Sequence, residues 1–246
     1  MTSVVVGTVQ ALYHYPVKSM RGQRLDEAFV GWDGLAGDRR YAFVRTGNAS
    51  NFPWLTARQV PDLLRYAPYP EDPSDPVASP LRVRTPVGAD LSIEDEALRD
   101  ELAARYGAPV HLMQCNRGTF DGDTLSLISA ASLRELASAV GRPLDAQRFR
   151  LNIVINTVTD MPYNEEGWAE ALLCIGDGSD GPRIRVDRKD KRCMMVNLDP
   201  ETATQDPAVL RTIVRSREYC AGMYASPQRA GPIRVGDVVR MVASSE

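Results

Sequence analysis

The sequence predicts an α+β protein that is mainly β, with a barrel-like β core and a few flanking helices. Many short runs of β-branched and aromatic residues are separated by clusters of Gly, Pro, Asp and Asn. Helix-period patterns are few, and the chain has no internal repeats or low-complexity tract. With 246 residues and 43% hydrophobic content, the chain can form one large or two small domains without disulfide support.

The first half of the chain is rich in strand signals. They fall at residues 4–15, 24–31, 40–45, 81–85 and 90–93, the last two as a hairpin. Six prolines within residues 68–86 predict an irregular loop. A short helix is expected at residues 61–66. A longer helix is expected at residues 95–106 and ends at Gly107.

A second unit begins near Asp121. Residues 129–135 predict an N-cap and a capping box, Ser132 with Glu135, for a helix that ends at Gly141. Further strands are expected at residues 151–158 and 172–176, a helix at residues 207–217, and a strand–turn–strand at residues 233–242. Residues 183–186 and 193–198 predict a strand pair or one bent strand around a basic corner. We therefore predict two domains, residues 1–118 and 119–246.

Composition excludes several classes of protein. The net charge of -3 argues against a general nucleic-acid binder, which needs a basic surface. No apolar run reaches the roughly 18–20 residues of a membrane span. The first ten residues lack the basic start and the cleavage site of a signal peptide, so we expect a cytoplasmic protein.

The four cysteines, Cys115, Cys174, Cys193 and Cys220, lie far apart and form no C-x-x-C pair. In a reducing compartment they should be free thiols. The chain has only two histidines, which argues against a histidine-based metal site or a catalytic triad. P-loop, nucleophile-elbow and H-E-x-x-H motifs are absent, and Gly31, Gly34 and Gly37 fit turns better than a dinucleotide loop.

Residues 183–193 are the most unusual segment, because six basic residues precede Cys193. Nearby cations favour a thiolate, which ligates soft or borderline metals and attacks electrophiles. The same cations could bind a phosphate or a carboxylate. A solvated basic hairpin beside an incidental buried cysteine is the alternative.

Eight short segments match one family pattern in order. They are residues 15–19 (Y-P-V-K-S), 34–39 (G-x-x-x-D-R), 56–59 (T-A-R-Q), 149–152 (F-R-L-N for F-R-P-N), 192–193 (R-C), 199–202 (D-P-x-T), 222–224 (G-x-Y) and 231–237 (G-x-I-x-V-G-D). Each is weak alone, but eight in the right order make a strong signal. On these segments the sequence resembles the MOSC family, named for the C-terminal domain of molybdenum cofactor sulfurases, and particularly its amidoxime-reducing branch.

The resemblance implies a MOSC β-barrel with flanking helices, a smaller N-terminal β-rich domain and a bound molybdenum cofactor. It makes Cys193 the metal ligand and the catalytic residue. The implied cofactor-binding residues are Lys18, Ser19, Arg39, Thr56, Arg58, Arg150, Asn152, Arg192 and Tyr224. The basic and hydroxyl groups among them would hold the phosphate of the pterin.

Three departures from the family pattern affect the site. Leu151 replaces a proline, Ala221 stands where an aromatic residue often precedes the glycine, and residues 176–182 form a longer turn than usual. The chain also lacks the cysteine spacing of an iron–sulfur domain, so we expect the electron donor to be a separate protein, such as a ferredoxin, a flavodoxin or a b-type cytochrome.

The resemblance implies a molybdenum-dependent reductase of small N-hydroxylated compounds. The alternative is a carrier of molybdenum cofactor or sulfur that has no turnover. A relative that has lost the cofactor is disfavoured, because Lys18, Ser19, Arg192 and Cys193 are all present.

Overall fold

The computed structural model describes residues 3–176 and 180–242. Its first nine strands are β1 (Ser3–His14), β2 (Gln23–Leu25), β3 (Glu27–Gly31), β4 (Gly34–Leu35), β5 (Tyr41–Arg45), β6 (Ala67–Pro70), β7 (Leu81–Arg84), β8 (Asp90–Ser92) and β9 (Val110–Gln114). Later strands are β10 (Leu125–Ser129), β11 (Ile153–Thr157), β12 (Leu172–Ile175), β13 (Arg183–Lys191), β14 (Cys220–Arg229), β15 (Gly231–Arg234) and β16 (Val238–Val242). The α-helices are α1 (Glu96–Tyr106), α2 (Ala130–Val140) and α3 (Pro207–Arg217). The predicted fold class, α+β and mainly β, is confirmed.

Seven strands form a closed barrel. They run in the order β11-β10-β14-β13-β12-β16-β1, and β1 pairs again with β11, for example Leu12 with Ile153. Val9, Leu127 and Ile184 belong to the apolar cluster of this barrel and are at most 1% exposed. Their removal from water stabilises the closed sheet. Because β1 completes a barrel built mainly from the second half, the predicted boundary after residue 118 stays a prediction.

The N-terminal β-rich unit has its own core. It packs α1 against the sheets β5–β9 and β6–β7–β8. Asp95 caps α1 by accepting from the backbone N–H of Ala97, and Gly107 ends it in the left-handed conformation, as predicted. Leu98 and Leu102, one turn apart, are fully buried. Leu198 from the second half joins this core, which ties the two halves together.

The predicted capping box of α2 was wrong. Ser129 is the N-cap, and its hydroxyl accepts from the backbone N–H of Ser132. The reason is that β10 runs directly into the helix at Ser129, so Ser132 already lies in the first turn. The predicted end at Gly141 is correct.

Two other local predictions need correction. Residues 193–198 are not a strand: β13 continues unbroken to Lys191, and Met194–Asn197 form a 3-10 helix against α3. The proline-rich segment is partly a strand, because Ala67–Pro70 pair with β7. Its prolines are tolerated there because β6 is an edge strand. The predicted long turn lies partly at residues 177–179, outside the described residues.

Candidate cofactor site

A cavity of about 510 Å³ brings together all ten residues that the sequence singled out. Its lining includes Lys18, Ser19, Arg39, Thr56, Arg58, Arg150, Asn152, Arg192, Cys193 and Tyr224. These come from both halves of the chain, so the N-terminal unit and the barrel each supply part of the wall. The volume lies in the range of roughly 300–1,000 Å³ that small molecules and cofactors occupy.

The cavity is strongly basic although the protein is acidic overall. Nine of its lining residues are basic: Lys18, Arg39, Arg58, Arg148, Arg150, Arg188, Lys189, Lys191 and Arg192. Three are acidic: Asp121, Asp123 and Asp190. The lining residues therefore carry a formal excess of six positive charges, against -3 for the whole chain. Such a concentration of one sign in a cleft attracts an anionic ligand.

Lys18 is a buried cation on the N-terminal side of the cavity. It is 7% exposed, and its Nζ donates to the carbonyl oxygen of Thr119 at 2.5 Å and to Asp121 Oδ1 at 2.6 Å. Burial lowers the pKa of the Lys18 ammonium, while the charge of Asp121 opposes that shift. The same ammonium lies 5.6 Å from the centre of the Phe52 ring.

Arg39 and Arg150 lie against one aromatic ring and touch each other. Their guanidinium carbons are 4.9 Å and 4.3 Å from the centre of the Tyr15 ring. Arg39 pairs with Asp38 and donates from Nη2 to the carbonyl oxygen of Arg150 at 2.7 Å. Arg150 donates from Nη1 to the carbonyl oxygen of Met20 at 2.7 Å.

The second terminal nitrogen of Arg150 has no partner. Its Nη2 is buried and makes no hydrogen bond within the described residues. Burial, together with the like charge of Arg39, lowers the pKa of Arg150 to about 10. A buried donor left unpaired costs free energy, and an anion bound in the cavity would remove that cost.

Three cavity residues other than glycine have a left-handed backbone. The φ angles are 64° at Ser19, 51° at Arg39 and 50° at Arg150. This conformation is uncommon for such residues and is often found at functional sites. Sharp turns at these points fix where the three side chains leave the main chain. The hydroxyl of Ser19 has no hydrogen-bond partner among the described residues and stays available to a ligand.

Asn152 and Thr56 line the cavity, but their polar atoms bind other protein groups. Asn152 is 1% exposed, donates from Nδ2 to Asp38 Oδ2 at 3.0 Å and accepts from the backbone N–H of Ser126. Thr56 donates to Gln59 Oε1 at 2.8 Å. Asn152 therefore orients Asp38, which in turn holds Arg39. Direct ligand contact by either residue stays a prediction.

Cys193 lies two residues after the end of β13 and is the N-cap of the 3-10 helix that packs on α3. Its backbone is extended, with φ of -114° and ψ of -177°, and the half-buried thiol is not in a disulfide. Its Sγ has no hydrogen-bond partner among the described residues. A free, partly accessible sulfur at the wall of a basic cavity can ligate a soft metal.

The side chain of Arg192 is anchored by the protein. Its Nε donates to the carbonyl oxygen of Ala221 and its Nη1 to that of Phe149, both at 2.7 Å. Its Nη2 lies 2.8 Å from Asp190 Oδ2. Arg192 therefore ties the segment beside Cys193 to β14.

Asp190 is a site residue that the sequence reasoning missed. It is 2% exposed and interacts with both Arg192 and the hydroxyl of Tyr224. Burial raises the pKa of this carboxyl, and the charge of Arg192 opposes the shift. The sequence did contain a signal for Asp190. It is an acidic residue in a basic strand, at an even-numbered position like the inward-facing Ile184 and Val186. Asp121 was missed too, since nothing in the sequence links it to Lys18.

Comparison with protein-family models identifies both parts of the chain. The model described as "MOSC domain" matches residues 117–240, and the model described as "MOSC N-terminal beta barrel domain" matches residues 6–123. Together they cover nearly the whole chain.

Curated relatives agree with these matches. The chain is 26% identical to mitochondrial amidoxime-reducing component 1 of Mus musculus and 25% identical to mitochondrial amidoxime reducing component 2 of Rattus norvegicus. These alignments cover 96% of this chain and 83% and 84% of the relatives. A shorter match, 35% identical over 34% of this chain and 9% of the relative, is to molybdenum cofactor sulfurase of Danio rerio.

A solved structure shares the fold. The YUAD protein from Bacillus subtilis superimposes with a TM-score of 0.54 over 99% of both chains, at 12% sequence identity. None of the described helices is long and apolar enough to cross a membrane.

Proposed function

The chain belongs to the MOSC family, and we propose that it is a molybdenum-cofactor-dependent reductase of N-hydroxylated compounds. The proposed reaction takes up two electrons and two protons, breaks the N–O bond of an N-hydroxyl group, and yields the N–H product and water. The observation that carries the proposal is the basic cavity: motif residues far apart in the chain line it together with one accessible thiol. The similarity to amidoxime-reducing components supports the reaction class.

The residues of the cavity fit a molybdenum cofactor. Cys193 offers the soft sulfur that a metal already bound by the dithiolene sulfurs of a pterin accepts. Lys18, Ser19, Arg39 and Arg150 would hold the pterin phosphate, and the unpartnered Nη2 of Arg150 is the donor that this phosphate satisfies. Thr56, Arg58, Asn152, Arg192 and Tyr224 are proposed to complete the wall around the cofactor.

When bound, the cofactor would supply the two-electron chemistry, and the protein supplies orientation and charge. Asp38 and Asn152 hold Arg39 in place from behind. Asp190 holds Arg192, which directly precedes Cys193, and Tyr224 on β14. These contacts fix the cationic groups before any ligand arrives, so little ordering is required on binding.

The electrons must come from outside this chain. We propose a separate small redox protein of the ferredoxin, flavodoxin or b-type cytochrome kind as donor. We also propose that the protein acts in the cytoplasm.

A carrier of molybdenum cofactor or sulfur is the second candidate. The match to molybdenum cofactor sulfurase supports this candidate, because part of this chain is similar in sequence to a protein named for cofactor sulfuration. In a carrier, Cys193 would hold sulfur or cofactor transiently and release it without turnover.

The two candidates separate in one experiment. The protein is produced in cells that make molybdenum cofactor, and molybdenum per chain is measured before and after extensive dilution. Reduction of benzamidoxime is then followed with a reduced dye as electron source. About one molybdenum per chain that survives dilution, with turnover, supports the reductase. Loss of molybdenum without turnover supports the carrier and overturns the reductase.

A further inference from the structure

Three of the nine cavity cations have no carboxylate partner among the described residues. Six are paired: Lys18 with Asp121, Arg39 with Asp38, Arg148 with Asp199, Arg188 with Asp123, Lys189 with Glu166, and Arg192 with Asp190. Arg58, Arg150 and Lys191 are not. Unpaired cations in a cavity mark the places where a ligand's negative charge is best accepted.

These three cations lie at different depths. Arg150 packs on the buried ring of Tyr15, inside the group that is proposed to hold the cofactor phosphate. Arg58 and Lys191 are exposed at the rim. Each of the two rim cations lies over an aromatic ring, at 5.7 Å from the centre of Phe52 and 5.5 Å from that of Tyr219. The aromatic contacts limit where the two charged groups can point without neutralising them.

One phosphate does not use all of the unpaired charge. The nine cavity cations and their six carboxylate partners leave a net charge of three, which corresponds to Arg58, Arg150 and Lys191. A phosphate monoester carries about two negative charges at neutral pH, so one positive charge remains. Lys18, Arg39 and Arg150 lie together in the interior, beside the proposed phosphate position, whereas Arg58 and Lys191 are exposed, and the remaining charge is available there to a second anion.

We infer that the substrates of this enzyme carry an anionic group, a carboxylate or a phosphate, in addition to the N-hydroxyl group. This inference rests on the proposed reductase function. In addition to its proposed place in the wall around the cofactor, Arg58 would bind the anionic group at the rim together with Lys191, while the N-hydroxyl group enters the cavity toward Cys193. The half-buried Phe52 and Phe120 give the cavity two apolar surfaces for the body of a flat molecule.

The expected preference for an anionic substrate is moderate, because Arg58 and Lys191 are exposed to solvent. Exposed ion pairs typically change an equilibrium by up to about fivefold each. Two such contacts should give an anionic substrate an advantage of roughly 2- to 25-fold over its neutral analogue. The advantage should shrink in 0.5 M NaCl, since salt screens exposed charges over a few ångströms.

The test compares benzamidoxime with 4-carboxybenzamidoxime on the molybdenum-loaded protein, with the same reduced dye for both. The measured quantity is the ratio of their kcat/KM values in the natural protein, Arg58→Gln, Lys191→Gln and the double variant. Arg183→Gln is the matched control, because Arg183 is exposed on the same strand as Lys191 but does not line the cavity. Calorimetry with the products, benzamidine and 4-carboxybenzamidine, gives a readout of binding that does not depend on turnover.

We expect the carboxylated substrate to be preferred, each single variant to lose part of the preference and the double variant nearly all of it, with Arg183→Gln unchanged. Equal kcat/KM for the two substrates, or a preference that survives in the double variant, overturns the inference and leaves the reductase proposal standing. The variants are also tested with a protein as electron donor. If they slow that reaction but leave the dye-driven ratio of kcat/KM values unchanged, the rim binds the donor and the inference is wrong. Absence of molybdenum and of all turnover refutes the reductase instead, and calorimetry then still decides whether the rim binds anions.

Discussion

The barrel interior and the cavity beside it are built on opposite principles. The barrel joins neighbouring strands in register and fills its interior with apolar side chains such as Val9, Leu127 and Ile184. The cavity gathers charged groups from distant parts of the chain; Lys18 and Asp121, for example, are 103 residues apart. The barrel is stabilised by what it buries, whereas the cavity holds groups that are costly to bury.

This difference separates stability from function. Two features of the cavity do not stabilise the cofactor-free protein. They are the unpaired Nη2 of Arg150 and the left-handed backbone of Ser19, Arg39 and Arg150. They are arranged for a ligand that supplies the missing negative charge. Substitutions in the two regions should therefore have separable effects.

The largest effect on stability is expected from the barrel. Leu127 is fully buried at the centre of β10, paired with Ile153 on one side and Met223 on the other. Leu127→Ala should lower the free energy of unfolding by about 2–5 kcal/mol, because it removes apolar contacts and leaves a cavity. Denaturant unfolding measures this. Val87→Ala, at a side chain that is 80% exposed, is the control, and a similar loss there would contradict the comparison.

In the cavity, the effect should fall on cofactor retention. Arg150→Met keeps an unbranched stem but removes the charged guanidinium group, and should weaken retention of the cofactor by about 1.5–3 kcal/mol. The free energy of unfolding of the cofactor-free protein should change by only about 1 kcal/mol, because removal of the unpaired buried Nη2 offsets much of the loss of the hydrogen bond to Met20. Molybdenum retained after gel filtration and denaturant unfolding are the two measurements. Unchanged retention would refute the phosphate-binding role of Arg150.

The smallest effect concerns Glu166, the carboxylate that pairs with the exposed cavity residue Lys189 and with Arg217. Burial raises the pKa of Glu166, but hydrogen bonds and charge from Lys189 and Arg217 lower it more, so the folded value lies below the ordinary 4.5. The carboxylate therefore stabilises the fold above pH 4.5, and this contribution is lost as the pH falls through the folded pKa. Glu166→Gln should cost about 0.2–1 kcal/mol at pH 7 and nothing in acid below that pKa.

Urea unfolding at several pH values tests this dependence. Lys191→Gln serves as the comparison: because Lys191 has no carboxylate partner among the described residues, any change in the free energy of unfolding should be the same at each of these pH values. A cost for Glu166→Gln that stays the same in acid would show that the residue acts through packing rather than charge.

Many of the strands and helices could be predicted from the sequence, because the signals for these elements are local. Gly107 and Gly141 end their helices where their patterns indicate. The segment after Lys191 could not be predicted locally, since its 3-10 conformation depends on contacts with α3, such as the hydrogen bond from Leu210 to Asn197.

Many residues of the cavity could be predicted from the sequence, but the hydrogen bonds and ion pairs among them could not. Motif order identified ten of the 24 residues that line it, and all ten lie in this one lining. That Asn152 binds Asp38, and that Asp190 is the buried partner of Arg192, depends on pairings across the fold that no spacing reveals.

The central claim is that Cys193 binds the metal, and replacing each cysteine in turn by serine tests it most directly. Molybdenum content and benzamidoxime turnover per bound molybdenum are measured for Cys115→Ser, Cys174→Ser, Cys193→Ser and Cys220→Ser. We predict that Cys193→Ser folds normally and loses turnover, because a serine hydroxyl ionises far less readily and is a harder ligand, while the other three variants keep it. Natural turnover in Cys193→Ser would contradict the metal-ligand assignment and, with it, the reductase mechanism.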